Sequence, residues 1–340
     1  MSYYKGGSTT KTQFRLHKKG ITKLSIYTAI VVLLLLLPTI GLPIFWMHIF
    51  IGVFIYFILT GSLRLVGISG QGSLGHAGFM CIGAYTSALL AKDFHWTPWL
   101  TIILAALVAL GMALLVGRLI CRLRGIYFVM MSLFIGMAIL SIVQIFQRWT
   151  GGQSGLGQIP PLFHAGKEPY YYFFLILAVV CLAIMYRIEF SRIGITWKAI
   201  AQSYSVASSI GINEYGQRVF CLAIGAFFAG LAGGAFPHYY LSLSMDSAGF
   251  SVSMNMFIYM MVGGINSING PIVGVAILTI IPAYFRELKD NVPFINAGIL
   301  LVMLFLAPQG LVSLPGKIKS WIDKLSKARV AEKEVVDRAP

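Results

Sequence analysis

Apolar runs of about twenty residues recur along the chain, and short polar stretches separate them. Uncharged runs occupy residues 24–41, 44–63, 98–117, 125–146, 170–186, 219–241 and 294–312, with Pro43 joining the first two. A shorter run at 79–91 follows the glycine-rich stretch Gly70-Gln71-Gly72-Ser73-Leu74-Gly75-His76-Ala77-Gly78. The uncharged stretch 247–285 is broken by Gly263-Gly264-Ile265-Asn266-Ser267-Ile268-Asn269-Gly270-Pro271 and divides into two segments. About 20 apolar helical residues cross a hydrocarbon core, and only helices or closed barrels satisfy their backbone there. The pattern therefore predicts an all-α polytopic integral membrane protein of about ten transmembrane segments, two of them interrupted by glycines.

Residues 187–218 are the polar exception. Thr196 is a candidate N-cap, Trp197, Ile200, Tyr204 and Ala207 recur at helical spacing, and Gly211 offers a stop. This describes a short amphipathic helix between two spans. It either rests on lipid headgroups or docks against a partner through its apolar stripe.

Charge then orients the spans. Ten crossings put 21 of the 26 basic residues on the side of the termini and five, Lys92, Arg148, Lys167, Arg286 and Lys289, on the other. The positive-inside rule places both termini and residues 187–218 in the cytoplasm. The chain divides into a basic cytoplasmic tail (1–23), a membrane domain (24–312) and a cytoplasmic tail (313–340). No small-residue cleavage site follows the first run, which reads as a retained anchor. The formal charge of +15 is explained by this topology rather than by nucleic-acid binding.

Composition narrows the chemistry. The chain is 58% hydrophobic with 11% charged residues and a mean hydropathy of +0.81, so the bundle is its own core. Cys81, Cys121, Cys181 and Cys221 have no metal-ligand spacing and read as apolar fillers. His48, His76 and His238 lack a neighbouring carboxylate or second ligand and read as hydrogen-bonded structural groups. No nucleophile and base pair, metal site or cofactor site is expected. The apolar runs contain no Asp, Glu, Lys or Arg, which argues against a proton-driven carrier. No GxxxxGK[ST] loop is present, so active transport would need a separate ATPase.

The two glycine-rich breaks have two readings. Interrupted helices line cavities, and paired interruptions point to a substrate route; glycines also let helices pack closely. As a route, the candidates are Gly72, Ser73, Gly75, His76 and Gly78 with Gly263, Gly264, Asn266, Ser267, Gly270 and Pro271.

An ordered series of motifs covering about residues 60–312 resembles a known family. Gly72 to Phe79 leading to Ile82-Gly83-Ala84-Tyr85, Arg122-Leu123-Arg124-Gly125-Ile126-Tyr127 and Thr150-Gly151-Gly152 to Leu156 resemble the permease subunits of branched-chain amino-acid ABC transporters, in particular the M-type subunit. Ser191-Arg192-Ile193-Gly194, Lys198-Ala199-Ile200 and Gly211-Ile212-Asn213 are similar to the family's cytoplasmic coupling segment. Ala229 to Gly233 and Gly263-Gly264 to Gly270-Pro271 follow its later landmarks. The resemblance implies an inner-membrane importer subunit, itself not an enzyme. Its partners would be ABC ATPase subunits, a second homologous permease, an extracytoplasmic substrate-binding protein and membrane lipid. Ser191, Arg192, Gly194, Trp197, Lys198, Ala199, Ile200 and Gly211 would then form the ATPase coupling segment. Members of the family carry branched-chain amino acids, other amino acids, or urea and short amides. Two positions depart from the family: Gly136-Met137, where relatives typically have glycine followed by glutamate, and Ala201-Gln202-Ser203-Tyr204, where relatives usually carry several charges. The competing classes are a passive channel or secondary carrier and a non-transporting scaffold.

The topology is open to direct test. Cysteines introduced at Ser203 and Ser320 are expected to react with an impermeant thiol reagent only from the cytoplasmic face, and one at Ser154 only from outside. Labelling of Ser154 and Ser203 from the same face would rule out the ten-span arrangement.

Overall fold

The computed structural model describes residues 28–41, 43–164, 166–265 and 269–284, with Ser25, Ser267, Gly298, Leu301, Gly310 and Leu311. Residues 28–36 are helical. Ten labelled helices follow: α1 (Ile44–Gly67), α2 (His76–Asp93), α3 (Pro98–Ile120), α4 (Ile126–Ile145), α5 (Glu168–Glu189), α6 (Arg192–Gln202), α7 (Tyr204–Ser209), α8 (Glu214–Tyr240), α9 (Phe250–Gly263) and α10 (Gly270–Tyr284). Two short strands, β1 (Leu156–Gly157) and β2 (Ser242–Leu243), pair antiparallel.

Among the described residues five helices, α1, α3, α4, α5 and α8, are long and apolar enough to cross a membrane. The leader, the C-terminal tail and almost all of the expected tenth span lie outside the described residues. Helix α9 has 14 residues, about 21 Å at the helical rise and well short of the ~30 Å hydrocarbon core. It forms a helical hairpin with α10.

The centre of the bundle is α8, which packs chiefly on α3 and α2 and also on α1. Its glycines allow this. A Cβ on Gly233 would collide with the carbonyl of Met80 in α2, and one on Gly83 would lie 2.7 Å from the Cα of Gly230. On the opposite flank, a Cβ on Gly234 would lie 2.8 Å from the Ala105 Cβ in α3. Burying apolar surface gives little drive to helices already in lipid, so association rests on such close packing. By contrast α4 and α5 leave most of their length on the outside of the bundle.

Three helices run past their apolar runs. Helix α1 continues through Arg64, α5 reaches Glu189, and α8 begins before Arg218, and all three charges are buried. The helices thus extend beyond the uncharged runs, because polar bonding within the bundle lets them continue through these charges. They gather at one end. Arg64 pairs with Glu189, Arg124 with Glu214, and the Tyr215 hydroxyl donates to the Arg118 carbonyl at 2.7 Å. At the opposite end the Tyr170 hydroxyl donates to the His238 carbonyl at 3.1 Å, joining the start of α5 to the end of α8.

Close packing makes a graded prediction. Gly83→Val is expected to cost about 1–3 kcal/mol or more through overpacking, read as a lower thermal midpoint of the detergent-solubilised protein. At Gly111 an added Cβ would meet nothing within 4 Å, so Gly111→Ala should be tolerated within about 0.5 kcal/mol. Equal effects of the two substitutions would contradict the packing account.

Candidate functional site

After α1 ends, residues 68–75 turn back into the bundle. Gly70 takes a left-handed conformation (φ 80°), and the Leu74 amide donates to the Ser132 hydroxyl of α4 at 3.0 Å. Gly75 then packs backbone to backbone on α4: a Cβ on Gly136 would lie 2.8 Å from the Gly75 Cα, and one on Gly75 would strike the Ser132 carbonyl. Gly78 meets the side chain of Ile139. The His76 ring Nε2 lies 2.8 Å from the Ser62 hydroxyl, and its Nδ1 has no hydrogen-bond partner among the described residues. Because His76 faces Gly225, eleven residues into α8, α2 starts inside the bundle, about 16 Å from the start of that helix.

A second irregular stretch approaches from the opposite end. Following Leu241, which ends α8 in a left-handed conformation, β2 and a 3-10 turn (Met245–Ala248) lead to the start of α9. There the Ser253 hydroxyl accepts from the Ala77 amide at 3.0 Å. Two helix N-termini, those of α2 and α9, thus meet within the bundle. Beside them is a narrow cleft, open on one side, walled by Leu74, Leu133, Met137, Leu140 and Phe250, with Gly75, Gly78 and Gly136 at its base and Ser253 as its one side-chain hydroxyl. N-terminal backbone amides carry a partial positive charge, so the cleft joins an apolar wall to a weakly electropositive edge.

The second glycine break is placed elsewhere. Gly263, Gly264, Ser267, Gly270 and Pro271 belong to the turn between α9 and α10, at the charged end of the bundle; Asn266 lies outside the described residues. Gly264 has φ 109° and closes α9, and a Cβ on Gly270 would strike the Gly264 carbonyl. The two breaks, expected as a pair, therefore lie at different levels of the bundle and do not face one another. What joins the first break is 248–253, which the sequence pattern did not single out. Its signal was the polar stretch Ser242-Leu243-Ser244-Met245-Asp246-Ser247 between two apolar runs.

The amphipathic segment within residues 187–218 also differs from its predicted form. Its N-cap is Ser191, whose hydroxyl accepts from the Gly194 amide at 3.4 Å, not Thr196. Ser203, in an extended conformation, ends α6 and caps α7, so a single helix over 197–210 is replaced by two. Trp197 and Ile200 are wholly buried and Ala207 nearly so, and the Trp197 indole donates to Gln217 at 3.1 Å. The predicted stripe faces its own bundle, because α8 supplies the apolar partner and the polar atom that the indole needs. Gly194 packs on the Glu189 carbonyl, while Lys198 and Ala199 are half-buried and Arg192 is exposed. The outward apolar residues are Ile193, Ile195, Val206 and Ile210, with Ile195 62% and Ile210 70% exposed; Gly211, left-handed at φ 85°, follows them.

Beneath this segment lies a buried charge cluster. Arg64 donates through Nη1 and Nη2 to the two Glu189 oxygens at 2.7 and 3.1 Å, and through Nε to the Ile265 carbonyl at 2.9 Å. Lys198 Nζ lies 2.9 Å from Glu189 Oε1. Removing one partner of such a desolvated pair costs about 3–5 kcal/mol. Among the described residues no group of three or more His, Cys, Asp or Glu is placed to hold a metal ion.

The described residues thus form a helical membrane bundle with two helix starts meeting inside it and an amphipathic segment at its charged end. The family described as "Branched-chain amino acid transport system / permease component" matches residues 45–308, and the chain belongs to that family. It is 28% identical over 289 residues to the high-affinity branched-chain amino acid transport system permease protein LivM of Salmonella typhimurium and, equally, to that of Escherichia coli strain K12, covering 76% of this chain and 68% of each relative. It is also 27% identical over 283 residues to the LivH permease protein of E. coli K12, covering 78% of this chain and 83% of that relative. No solved structure matches the chain.

Proposed function

We propose that this chain is one of two related permease subunits of an ATP-driven importer for branched-chain amino acids, in the M-type position. Its relatives carry that substrate class in their names, and both LivM and LivH proteins match it, which supports a paired arrangement. A soluble binding protein delivers the substrate from outside, and separate ATPase subunits dock on α6 and α7. Ten crossings hold both termini in the cytoplasm of a cell whose inner membrane carries the complex.

The observation that carries the substrate reading is the cleft at the joined starts of α2 and α9. Its walls are Leu, Met and Phe side chains, which suit an aliphatic side chain, and the partial positive charge of the helix starts favours a carboxylate. Urea and short amides have no apolar side chain to place against Met137 and Phe250. The substrate route runs along Gly72, Ser73, Gly75, His76 and Gly78 beside this cleft, and the turn from Gly263 to Pro271 forms its cytoplasmic gate.

Reconstituted with its ATPases and binding protein, the complex is expected to take up labelled leucine in an ATP-dependent way that excess isoleucine or valine suppresses and urea does not. Leu133→Asp places an unpaired charge on the apolar wall and should lower leucine uptake about tenfold or more. Suppression by urea, or full uptake in Leu133→Asp, would reject the reading.

The exposed residues of α6 and α7 supply the ATPase contact. Ile195→Asp is expected to weaken ATPase co-purification about tenfold, whereas Lys198→Ala, which loses one half-exposed ion pair worth about 0–1 kcal/mol, has a mild effect. Retention of the ATPases by Ile195→Asp would instead leave this face resting on lipid headgroups.

A further inference from the structure

We propose that two buried arginines, Arg64 and Arg218, are positioning residues that tether the coupling segment to the two glycine-rich breaks and so transmit its movement into the bundle. The inference rests on the ATP-driven reading above and adds to it the parts through which the work passes.

Arg64 is bonded to both ends of such a link. Its two Nη groups hold Glu189, and its Nε holds the Ile265 carbonyl in the turn that follows Gly264. Glu189 is fixed to α6 twice over: Lys198 of α6 reaches its carboxylate, and Gly194 of α6 packs directly on its backbone carbonyl. Movement of α6 therefore displaces Glu189, then the guanidinium, then the second break. The side chain of Ile265 also packs against Gly67 at the end of α1.

Arg218 makes the matching connection to the first break. Its Nη2 donates to the Leu123 carbonyl at 2.6 Å, and its guanidinium lies between the rings of Phe128 and Tyr204, 5.8 and 5.5 Å from their centroids. Tyr204 is the first residue of α7. Oriented to match its neighbours, the Gln71 amide accepts from Arg218 Nε at 3.3 Å and donates to the Arg218 carbonyl at 3.1 Å. Next to Gln71, Gly70 meets α6 and α7 without an intermediary: a Cβ there would lie 2.9 Å from the Tyr204 hydroxyl and 3.4 Å from the Ala201 Cα.

Stability alone does not account for this pair. Well-packed apolar residues hold a buried contact as firmly as a desolvated ion pair does. A guanidinium adds several donors in one rigid plane, so it bonds two separate elements at fixed angles and passes displacement from one to the other. Each arginine here divides its donors between two different elements.

The test uses the full reconstituted complex with Arg64→Lys, which keeps a cation beside Glu189 but loses the fork that also reaches Ile265, and with Gln71→Met and Gln71→Glu. Arg64→Lys and Gln71→Met are expected to assemble in wild-type amounts with wild-type basal ATPase activity, while stimulation by substrate-loaded binding protein and leucine uptake fall about tenfold, the scale of a typical coupling energy. Gln71→Glu, which keeps an acceptor for Arg218 Nε, should retain stimulation within about twofold of wild type. Normal stimulation in both Arg64→Lys and Gln71→Met overturns the proposal, as does a loss that merely follows reduced assembly or that Gln71→Glu fails to rescue. Absence of ATP-driven uptake in the wild-type complex overturns the transport reading itself, and the tethers with it.

Discussion

The near-contact between the backbone of α8 and those of α2 and α3 is the constraint on which the remaining geometry depends. In water, bulky side chains would drive this association by leaving solvent; in lipid they gain little by changing one apolar neighbour for another. Helices therefore meet where side chains are absent, at Gly83 with Gly230, Met80 with Gly233 and Ala105 with Gly234. Fixing α8 against α2 also fixes the depth at which α2 begins, since His76 is held opposite Gly225 and Ser62. The position of the cleft follows from that depth.

A helix that starts inside a bundle leaves amides without carbonyl partners, and each must be satisfied or face a polar ligand. Here Ser253 of α9 takes one of them, from Ala77, and Ser132 of α4 takes the Leu74 amide just before the helix. Glycines at 75, 78 and 136 bring the start of α2 and the α4 backbone close enough for the Leu74–Ser132 bond and border the cleft beside Met137. The same small residues thus make the close packing and border the cleft: in this fold the close crossing forms one side of it.

At the charged end polar bonding is added to close packing. Arg64, Glu189 and Arg218 are each at most 4% exposed, and each is held by hydrogen bonds to partners on other elements. Placed there, they join α6 and α7 to both irregular stretches, while the apolar face of α6 is taken up by α8 through Trp197 and Ile200. What remains exposed is the narrower outward set at Ile193, Ile195, Val206 and Ile210.

Run length, the distribution of basic residues and the order of the glycine motifs were sufficient to establish a polytopic helical membrane protein, its family and the gathering of Arg64, Arg118, Arg122 and Arg124 at one end with residues 187–218. These properties depend on local composition, which lipid and backbone hydrogen bonding read one segment at a time. Tertiary structure decided the rest. An amphipathic stripe identifies an apolar face without saying what covers it, so Trp197 and Ile200 were legible as a stripe but not as contacts to α8. A glycine break marks an irregular backbone without giving its depth, and only packing separated the buried start at Gly75 from the turn at Gly264. A basic residue beside an apolar run reads as a loop charge until a carboxylate 125 positions away, Glu189 for Arg64, lets the helix carry it inside. Each of these outcomes depends on partners remote in sequence, and no local pattern encodes the identity of such a partner.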